Sequence, residues 1–331
     1  MKAIVLTEYG PPEAFKLADV EKPSPKDNQI LIKVYASSIN SWDWEALKGT
    51  PFANRVTFGI FKPNNVILGC DVAGVVEAVG RDARRFSPGD EVYGDLSGNG
   101  GFGCFAEYVC ADENLLAQKP AGMTFEQAAA IPQAAVLALQ GLRYNGEIRA
   151  GQKVLFNGVG GGAGTFAVQM AKAMGAEVTG VDSSVKLETI RALGADHVMD
   201  YASEDFTKNG KRYDLIVDVV ARHSFFEYRR SLNVGGGLAI IGGSTGRLLQ
   251  IALLGLVVPG VKKGRMGLML HRPNKDDLAL INEMFESGKV APVIDRVYTL
   301  GQAAEAFRYY GEGLFKGKIV ISIAQGSQAV V

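Results

Sequence analysis

The stretch from residue 154 to residue 169 reads VLFNGVGGGAGTFAVQ, and it decides the fold. A short apolar strand at 154–156 runs into a glycine-rich turn, and an amphipathic helix follows over 165–174. Glycine permits positive φ angles and lets a backbone approach a pyrophosphate closely. The N-terminus of the following helix offers free N–H groups and a partial positive charge to phosphates. The stretch therefore predicts a dinucleotide-binding turn.

The glycine spacing is Gly158-x-x-Gly161-x-x-Gly164, which departs from the strict G-x-G-x-x-G fingerprint. A flexible glycine loop without a ligand is the alternative. The strand before the turn, the helix after it and a second strand at 177–181 favour the nucleotide site. We expect the cofactor to contact these residues of the turn: Gly158, Gly160, Gly161, Gly162, Ala163 and Gly164.

The end of the second strand carries two conflicting signals about the nucleotide. Asp182 lies about twenty residues past the turn, where an acid accepts hydrogen bonds from the adenosine ribose and favours NAD. Ser183, Ser184 and Lys186 follow directly, and hydroxyls and an ammonium suit the 2′-phosphate of NADP. As alternatives, Asp182 is the N-cap of the next helix and Lys186 is a solvated lysine in its first turn.

The chain divides into three segments by character. Residues 1–122 are rich in short strands separated by glycine and proline turns. Residues 123–264 alternate strands with helices, beginning with a helix that Thr124 is expected to cap, and this alternation predicts a parallel sheet covered on both faces. The tail, 265–331, ends in a strand at 317–323 that we expect to return to the first segment. The sequence therefore predicts an α/β protein in which a doubly wound parallel sheet is inserted in a β-rich domain.

Composition narrows the classes of function. The chain has 331 residues with 35 basic and 35 acidic side chains, so no basic surplus indicates a nucleic-acid partner. Three cysteines at irregular spacing predict a reducing compartment, and we expect the cytoplasm. The apolar stretch 248–258 is about half the length of a membrane-spanning helix, so no span is expected. It is a core or interface helix, or else a lid or membrane-contacting edge.

Several further motifs resemble those of the medium-chain dehydrogenase/reductase superfamily, most closely its zinc-independent quinone oxidoreductase and enone reductase branch. The resemblance covers nearly the whole chain, and its motifs stand in the family's order. With the glycine turn, they are ASSINSWD at 36–43, LGCDVAGVV at 68–76, FSPGDEV at 86–92, LGADHVMDY at 193–201 and GKIV at 317–320.

The resemblance implies a GroES-like catalytic domain, formed by 1–122 and 265–331, around an inserted Rossmann domain at 123–264. It implies a homodimer, and contacts of Lys186 and Tyr201 with a 2′-phosphate. NADP(H) is therefore the preferred cofactor, although NAD(H) is not excluded, because Asp182 replaces a small residue common in this branch. The expected cofactor contacts also include Val219, Gly242, Gly243 and Lys318.

Zinc-dependent relatives carry a catalytic Cys, a His-Glu pair and a second Cys. Here Asn40 or Ser41 stands at the first Cys position, and Cys70-Asp71 stands at the His-Glu pair. A catalytic zinc ion needs three protein ligands and an open position, and the chain has only three histidines. We expect no zinc ion and no other metal.

The resemblance implies that a quinone or an α,β-unsaturated carbonyl receives a hydride. Asn40 is the expected orienting residue or donor, and Asp43 braces its loop; a capped turn is the alternative for both. The proton comes from a tyrosine such as Tyr93 or from solvent. Aromatic side chains after the first motif form either an apolar substrate wall or core packing: Trp42, Trp44, Phe52, Phe58 and Phe61.

Two other functions stay open. One is an enoyl-thioester or other carbonyl reductase of the same superfamily, for which Lys262, Lys263 and Arg265 would form a basic patch. The other is a non-enzymatic nucleotide-binding protein.

Overall fold

The computed structural model describes residues 1–63, 66–99, 102–257 and 264–323, and the chain forms two compact units. The first unit contains Met1–Gln133, Pro273–Glu286 and the described chain from Pro292 onward. The second contains Ala134–Arg272 and Ser287–Ala291. The second unit thus begins and ends later in the chain than the segment 123–264 proposed from sequence.

The strands are numbered along the chain. They are β1 (Lys2–Leu6), β2 (Phe15–Asp19), β3 (Gln29–Ser38), β4 (Val66–Ile67), β5 (Asp71–Val79), β6 (Glu91–Asp95), β7 (Tyr108–Asp112), β8 (Leu116–Gln118), β9 (Lys153–Asn157), β10 (Glu177–Asp182), β11 (His197–Asp200), β12 (Tyr213–Asp218), β13 (Leu232–Ile240), β14 (Met266–Leu268), β15 (Ile294–Thr299) and β16 (Lys318–Ser322).

The α-helices are numbered in the same way. They are α1 (Ser41–Lys48), α2 (Phe52–Phe58), α3 (Phe125–Ala129), α4 (Pro132–Leu142), α5 (Gly162–Ala173), α6 (Leu187–Ala192), α7 (Phe225–Arg230), α8 (Thr245–Val257), α9 (Lys275–Glu286) and α10 (Ala303–Glu312).

The long strand β3 organises the first unit. It pairs antiparallel with β5, β7 and β16, and the main sheet has the order β15-β16-β3-β5-β6-β8. A smaller sheet has the order β2-β1-β4. The predicted return of the tail strand is confirmed, because Ile321 of β16 pairs with Ser37 of β3. This pairing brings the start of β16 close to Asn40, two residues beyond the end of β3.

The second unit is a six-stranded parallel sheet with the order β11-β10-β9-β12-β13-β14. Counted from β9, this is the order 3-2-1-4-5-6 of a dinucleotide-binding sheet. The central strand β9 buries Val154, Leu155 and Phe156, as expected for a strand covered on both faces. The carboxyl ends of β9, β10 and β12 therefore form the edge where a nucleotide is expected.

The predicted cap at Thr124 is confirmed. Its hydroxyl accepts a hydrogen bond from the N–H of Gln127 at 3.2 Å, and the Gln127 side chain accepts one from the N–H of Thr124 at 3.0 Å. This reciprocal capping box starts α3, which ends at Ala129. A separate helix, α4, then begins at Pro132, where proline suits a first helical position.

The apolar stretch 248–258 lies in α8, apart from Val258, which is outside the described residues. Ile251 is buried in the core of the second unit, whereas Leu249 and Leu253 are largely exposed. The helix is therefore packed along one side only. Within the described part of the chain, no helix has the length and apolar character needed to cross a membrane.

Candidate active site

In the second unit, the glycine-rich turn joins β9 to α5. Gly158 has a φ of +84°, and a Cβ there would lie 2.3 Å from Cγ2 of Val219. A Cβ on Gly164 would lie 2.2 Å from the carbonyl oxygen of Val159. Both positions therefore require glycine, one for its backbone angle and both for close packing. The turn ends at Gly161, the N-cap of α5, so the first N–H groups of a twelve-residue helix lie at the turn.

Asp182, at the end of β10, braces this turn. One carboxylate oxygen accepts a hydrogen bond from the N–H of Gly160 at 2.7 Å, and the other accepts one from the N–H of Ser183 at 2.8 Å. The ammonium of Lys186 lies 3.9 Å from the same carboxylate. Asp182 and Lys186 are both buried, so the alternative of a solvated lysine is wrong.

The alternative of Asp182 as a helix N-cap is also wrong. A 3₁₀ turn at Ser184–Lys186 has Ser183 at its N-cap, and α6 begins only at Leu187. Ser184 is exposed and Ser183 is half-buried. The carboxylate of Asp182 is therefore bound to the glycine turn and to Lys186 instead of to a helix end.

A cavity of about 210 Å³ opens beside the turn, within the second unit. Gly158 and Asp182 form part of its wall, as expected for a nucleotide site. Tyr201 and Arg222 also line it, and the Arg222 guanidinium lies 5.3 Å from the centre of the Tyr201 ring. Stacking of this kind holds a planar cation beside an aromatic face. The cavity thus places a cation and a phenol next to the end of β10.

Asp218, at the end of β12, fixes the loop that carries Arg222. Its carboxylate accepts hydrogen bonds from the side chains of Asn157 at 2.9 Å and Tyr228 at 2.7 Å. It also accepts the N–H groups of Val220 at 2.7 Å and Ala221 at 2.8 Å. Ala221 adopts a φ of +49°, which non-glycine residues rarely do. Four donors around one buried carboxylate therefore hold a strained loop in place.

The structure brings four of the expected cofactor residues together at this edge. A Cβ on Gly242 would lie 2.7 Å from the carbonyl oxygen of Val219, and one on Gly243 would lie 2.6 Å from Cβ of Ala221. Gly158 packs against Val219 in the same way. The chain segments that follow β9, β12 and β13 therefore lie so close together that no side chain fits at these three glycine positions.

In the first unit, Asn40 and Asp43 start helix α1. The carboxylate of Asp43 accepts the N–H of Asn40 at 2.9 Å and the N–H of Gly69 at 2.9 Å. Asp43 is fully buried, and this burial raises the pKa of its carboxyl to about 7, against the two hydrogen bonds that lower it. The predicted bracing of the Asn40 loop by Asp43 is therefore present in the structure.

A buried polar cluster surrounds Asp71 at the start of β5. One oxygen of its carboxylate accepts hydrogen bonds from Ser38 at 2.6 Å and from the Asn40 amide at 2.8 Å. The other accepts the N–H of Gln133 at 3.0 Å. Burial raises the pKa of Asp71, although the neighbouring Lys318 ammonium and these donors oppose the shift.

The Cys70 thiol lies in the same cluster. The side-chain amide nitrogens of Asn40 and Gln133 lie 3.6 Å and 3.3 Å from its sulfur. Burial raises the pKa of Cys70 well above its usual value, and nearby carboxylates add to this effect. Cys70 is therefore a neutral thiol in this site.

Lys318 lies in this cluster and not among the residues of the glycine turn. Its ammonium contacts the carbonyl oxygen of Ile39, the amide oxygen of Asn40 and the carboxylate of Asp71. The side chain is only 2% exposed. The Lys318 ammonium, which was expected to contact the cofactor, thus already has three acceptors within the protein.

The cluster also bears on metal binding. Among the described residues, Cys70, Asp71 and Asp95 could present ligand atoms within 4.8 Å of one another. However, the carboxylate of Asp71 already has three hydrogen-bond donors and lies 3.3 Å from the Lys318 ammonium. A zinc ion there would be placed beside an existing cation, and the set contains no imidazole. The donor set does not suit a catalytic zinc ion.

The aromatic side chains after the first motif divide between the two interpretations. Trp44 and Phe58 pack against the hydrophobic core of the first unit. Trp42, Phe52 and Phe61 are exposed, the last at 92%. Core packing therefore explains the first pair, whereas the other three are exposed apolar side chains.

The structure also locates the candidate proton donor Tyr93 and one residue of the candidate basic patch. Tyr93 is buried and donates a hydrogen bond to Asn282 at 2.6 Å, so its hydroxyl proton already has an acceptor. Lys262 and Lys263 lie outside the described residues, and Arg265 stacks 4.1 Å from the centre of the Tyr144 ring. The described residues therefore give no support to the basic patch.

Sequence reasoning missed Arg222, Asp218 and Gln133 as site residues. Asp218 carried a recognisable signal, because it ends a buried parallel strand, where ligand sites are common. Gln133 carried none, because its contact with Asp71 spans 62 positions of the chain.

The fold and these two sites define a nucleotide-dependent oxidoreductase with a GroES-like unit and a Rossmann unit. Two family profiles match the chain: "Alcohol dehydrogenase GroES-like domain" at residues 26–121 and "Zinc-binding dehydrogenase" at residues 193–321. The chain belongs to the medium-chain dehydrogenase/reductase superfamily, in its quinone oxidoreductase branch.

Individual relatives support this placement. The chain is 33% identical to the 2-methylene-furan-3-one reductase of Solanum lycopersicum, over 97% of this chain and 79% of the relative. It is also 33% identical, with the same coverage, to the chloroplastic NADPH-dependent alkenal/one oxidoreductase of Arabidopsis thaliana. The solved quinone oxidoreductase of Coxiella burnetii superposes with a TM-score of 0.87 at 30% identity, covering 98% of this chain and 99% of that one.

Proposed function

We propose that this protein is an NADPH-dependent reductase of quinones and α,β-unsaturated carbonyl compounds that works without zinc. The observation that carries the proposal is the buried cluster around Asp71, in which the Lys318 ammonium lies beside the carboxylate and two amide nitrogens, of Asn40 and Gln133, face Cys70. Such a site offers N–H donors to a carbonyl oxygen and no ligand set suited to a Lewis acid. The names of the relatives, which include reductases of alkenals, enones and quinones, agree with this chemistry.

A bound nicotinamide cofactor supplies the hydride for such a reaction. The residues of this chain have the other tasks. The glycine turn and the N-terminus of α5 bind the pyrophosphate, with Asp182 bracing the turn. Gly158, Val219, Gly242 and Gly243 let backbone segments approach the dinucleotide. Asn40, held by Asp43 and Asp71, orients the carbonyl compound or donates to its oxygen as negative charge develops there.

The preference for NADPH is proposed from the cavity beside β10. A 2′-phosphate is recognised best by cations and hydroxyls that are already oriented. Arg222 and Tyr201 are stacked in the cavity wall, and Lys186 lies beside the carboxylate of Asp182 and partly offsets its charge. Glu204 and Asp205 also line the cavity, and their carboxyl groups oppose a bound phosphate, which limits the preference over NADH.

The function is tested by following NADPH oxidation by the purified protein with 1,4-benzoquinone and, separately, with but-3-en-2-one. Turnover of either acceptor that is unaffected by a zinc chelator supports the proposal. Binding of NADPH without turnover of either acceptor contradicts it and favours a non-enzymatic role. Turnover that is lost with the chelator and restored by zinc contradicts the zinc-independent part alone.

The cofactor preference is tested with Arg222→Gln, and with Arg212→Gln as the control. Arg212 is an exposed arginine of the same unit outside the cavity lining. Loss of a charge-assisted phosphate contact is expected to raise KM for NADPH by about tenfold or more, since each tenfold corresponds to ~1.4 kcal/mol. KM for NADH should change by less than about twofold in either variant. Equal effects of Arg222→Gln on both nucleotides contradict the assignment.

A homodimer and a cytoplasmic location complete the proposal. Within the described residues, β14 ends the six-stranded sheet and pairs only with β13, so its other edge is open to a second copy. All three cysteines are unpaired thiols, which suits a reducing compartment. Light scattering of the purified protein tests the dimer, and imaging of the tagged protein in its own cell tests the location.

A further inference from the structure

The ammonium of Lys318 is enclosed at the start of β16. It contacts the carbonyl oxygen of Ile39 at 3.2 Å, the amide oxygen of Asn40 at 2.5 Å and the carboxylate of Asp71 at 3.3 Å. An ammonium has three hydrogens and no acceptor, so these three partners use its full bonding capacity. The side chain is 2% exposed, and a ligand phosphate would have to displace one of these partners to reach it.

This contact fixes which way the Asn40 amide points. Only the amide oxygen can face an ammonium, because both groups would otherwise be donors. The amide nitrogen must then face the other way, where it lies 2.8 Å from the carboxylate of Asp71 and 3.6 Å from the sulfur of Cys70. Lys318, together with the Asp71 carboxylate, therefore fixes that Asn40 presents N–H groups on this side of the cluster.

The two N–H bonds of Asn40 differ in strength. The bond to Asp71 is short and has a charged acceptor, whereas the contact with Cys70 is long and has a weak sulfur acceptor. A carbonyl oxygen that gains negative charge is a far better acceptor than a thiol. The hydrogen directed at Cys70 is thus the one that Asn40 can give to a ligand.

We propose that Lys318 is a positioning residue, which holds the Asn40 amide so that one N–H group is available to the carbonyl oxygen of the substrate, and that it is not a contact of the cofactor phosphate. This inference rests on the proposed reductase function. It assigns the effect of Lys318 to the chemical step through Asn40, and it predicts that nucleotide affinity does not depend on Lys318.

Two double variants separate these roles. Removing Lys318 alone would leave the buried Asp71 carboxylate without its cation, so Asp71→Asn is included in both. Lys318→Met/Asp71→Asn removes the charge and the donor. Lys318→Gln/Asp71→Asn removes the same charge but keeps an amide N–H for the Asn40 oxygen. Lys16→Met, at an exposed position on β2, is the control for losing a lysine of the same unit.

The expected result is a split between chemistry and binding. The Met double variant should lower kcat at least tenfold, the Gln double variant should recover at least fivefold of that loss, and Kd for NADPH should stay within threefold of wild type in both. The Lys16 variant should match wild type. A tenfold rise in the NADPH Kd with kcat unchanged overturns the proposal, as does equal kcat in the Met and Gln double variants.

Hydrogen exchange of the Asn40 side-chain amide gives a readout that needs no turnover. Its NMR signal is assigned by its loss in Asn40→Asp. Slow exchange in wild type and in the Gln double variant, with at least tenfold faster exchange in the Met double variant, supports the proposal even where no quinone or enone is reduced. Equal exchange in both overturns it. If neither double variant folds, Asp71→Asn alone decides, because it weakens the acceptor of the Asn40 N–H and keeps Lys318 on the Asn40 oxygen: protection of the Asn40 amide there supports the proposal, and exchange as fast as that of an exposed amide overturns it.

Discussion

The carboxylate of Asp43 accepts a hydrogen bond from the backbone N–H of Gly69 at 2.9 Å, which ties the first turn of α1 to the segment before β5. Since the same carboxylate also accepts the N–H of Asn40, one buried side chain joins the two motifs that supply the polar cluster. The position of Asn40 relative to Asp71 thus depends on a group whose pKa is shifted into the physiological range.

The stability of the protein should therefore depend on pH through Asp43. The pKa of this carboxyl is about 7 in the folded chain and 3.8 for an ordinary aspartate. Between these values the unfolded chain releases the proton while the folded chain keeps it, so the contribution of Asp43 to stability falls as pH rises from about 4 to 7 and is constant above that. The free energy of unfolding of wild type minus that of Asp43→Asn, from urea titrations at four pH values, should decrease across this window. A difference that increases with pH contradicts the assignment.

Close packing of the glycine turn predicts that two glycine substitutions lower the unfolding free energy by different amounts. Gly164→Ala would place a Cβ 2.2 Å from a backbone oxygen, and such overpacking costs about 1–3 kcal/mol. The nearest atom to a Cβ on Gly161 is 3.8 Å away, an ordinary contact, so Gly161→Ala should cost only the weaker N-cap preference of alanine, up to ~1 kcal/mol. Thermal and urea unfolding measure both. Equal destabilisation by the two variants would show that the turn packs differently.

The Asp218 network predicts a large effect for a small change. Tyr228→Phe removes a hydroxyl that donates to a buried carboxylate at 2.7 Å, which should cost about 1.5–3 kcal/mol of unfolding free energy. Tyr309→Phe is the matched control, because Tyr309 donates to Asp295 at 2.6 Å in more exposed surroundings and should cost less than ~1 kcal/mol. A comparable loss in both variants would show that burial of the Asp218 network adds nothing.

The positive φ of Ala221 predicts that glycine is tolerated there or stabilises the fold. Relief of the left-handed conformation is worth roughly 1–2 kcal/mol, against about 0.5–1 kcal/mol for the greater freedom of glycine in the unfolded chain. Ala221→Gly should therefore raise the unfolding free energy by about 0–1.5 kcal/mol. The same change at the exposed helical Ala279 should lower it by about 1 kcal/mol. Similar losses at both positions would contradict the strain at Ala221.

Features of the fold that depend on residues close together in the chain were predictable from the sequence. The glycine turn, the capping box at Thr124 and the alternation of strands and helices each depend on spacing within about twenty residues. The contacts that build the two sites do not: Lys318 reaches Asn40 across 278 positions. The sequence places Lys318 with the cofactor by resemblance alone, and it points neither to the contact of Lys318 with Asn40 nor to Arg222, because neither leaves a local pattern.

The stacked pair of Tyr201 and Arg222 also has an evolutionary consequence. Both side chains lie on loops at the carboxyl edge of the sheet, and neither belongs to the buried core. If the pair contacts the 2′-phosphate as proposed, substitution at either position would alter which nucleotide is preferred at little cost to folding. Selection could then change the cofactor preference of this protein without changing the stability of its fold. Descendants of one ancestor could diverge in cofactor use through a few surface changes.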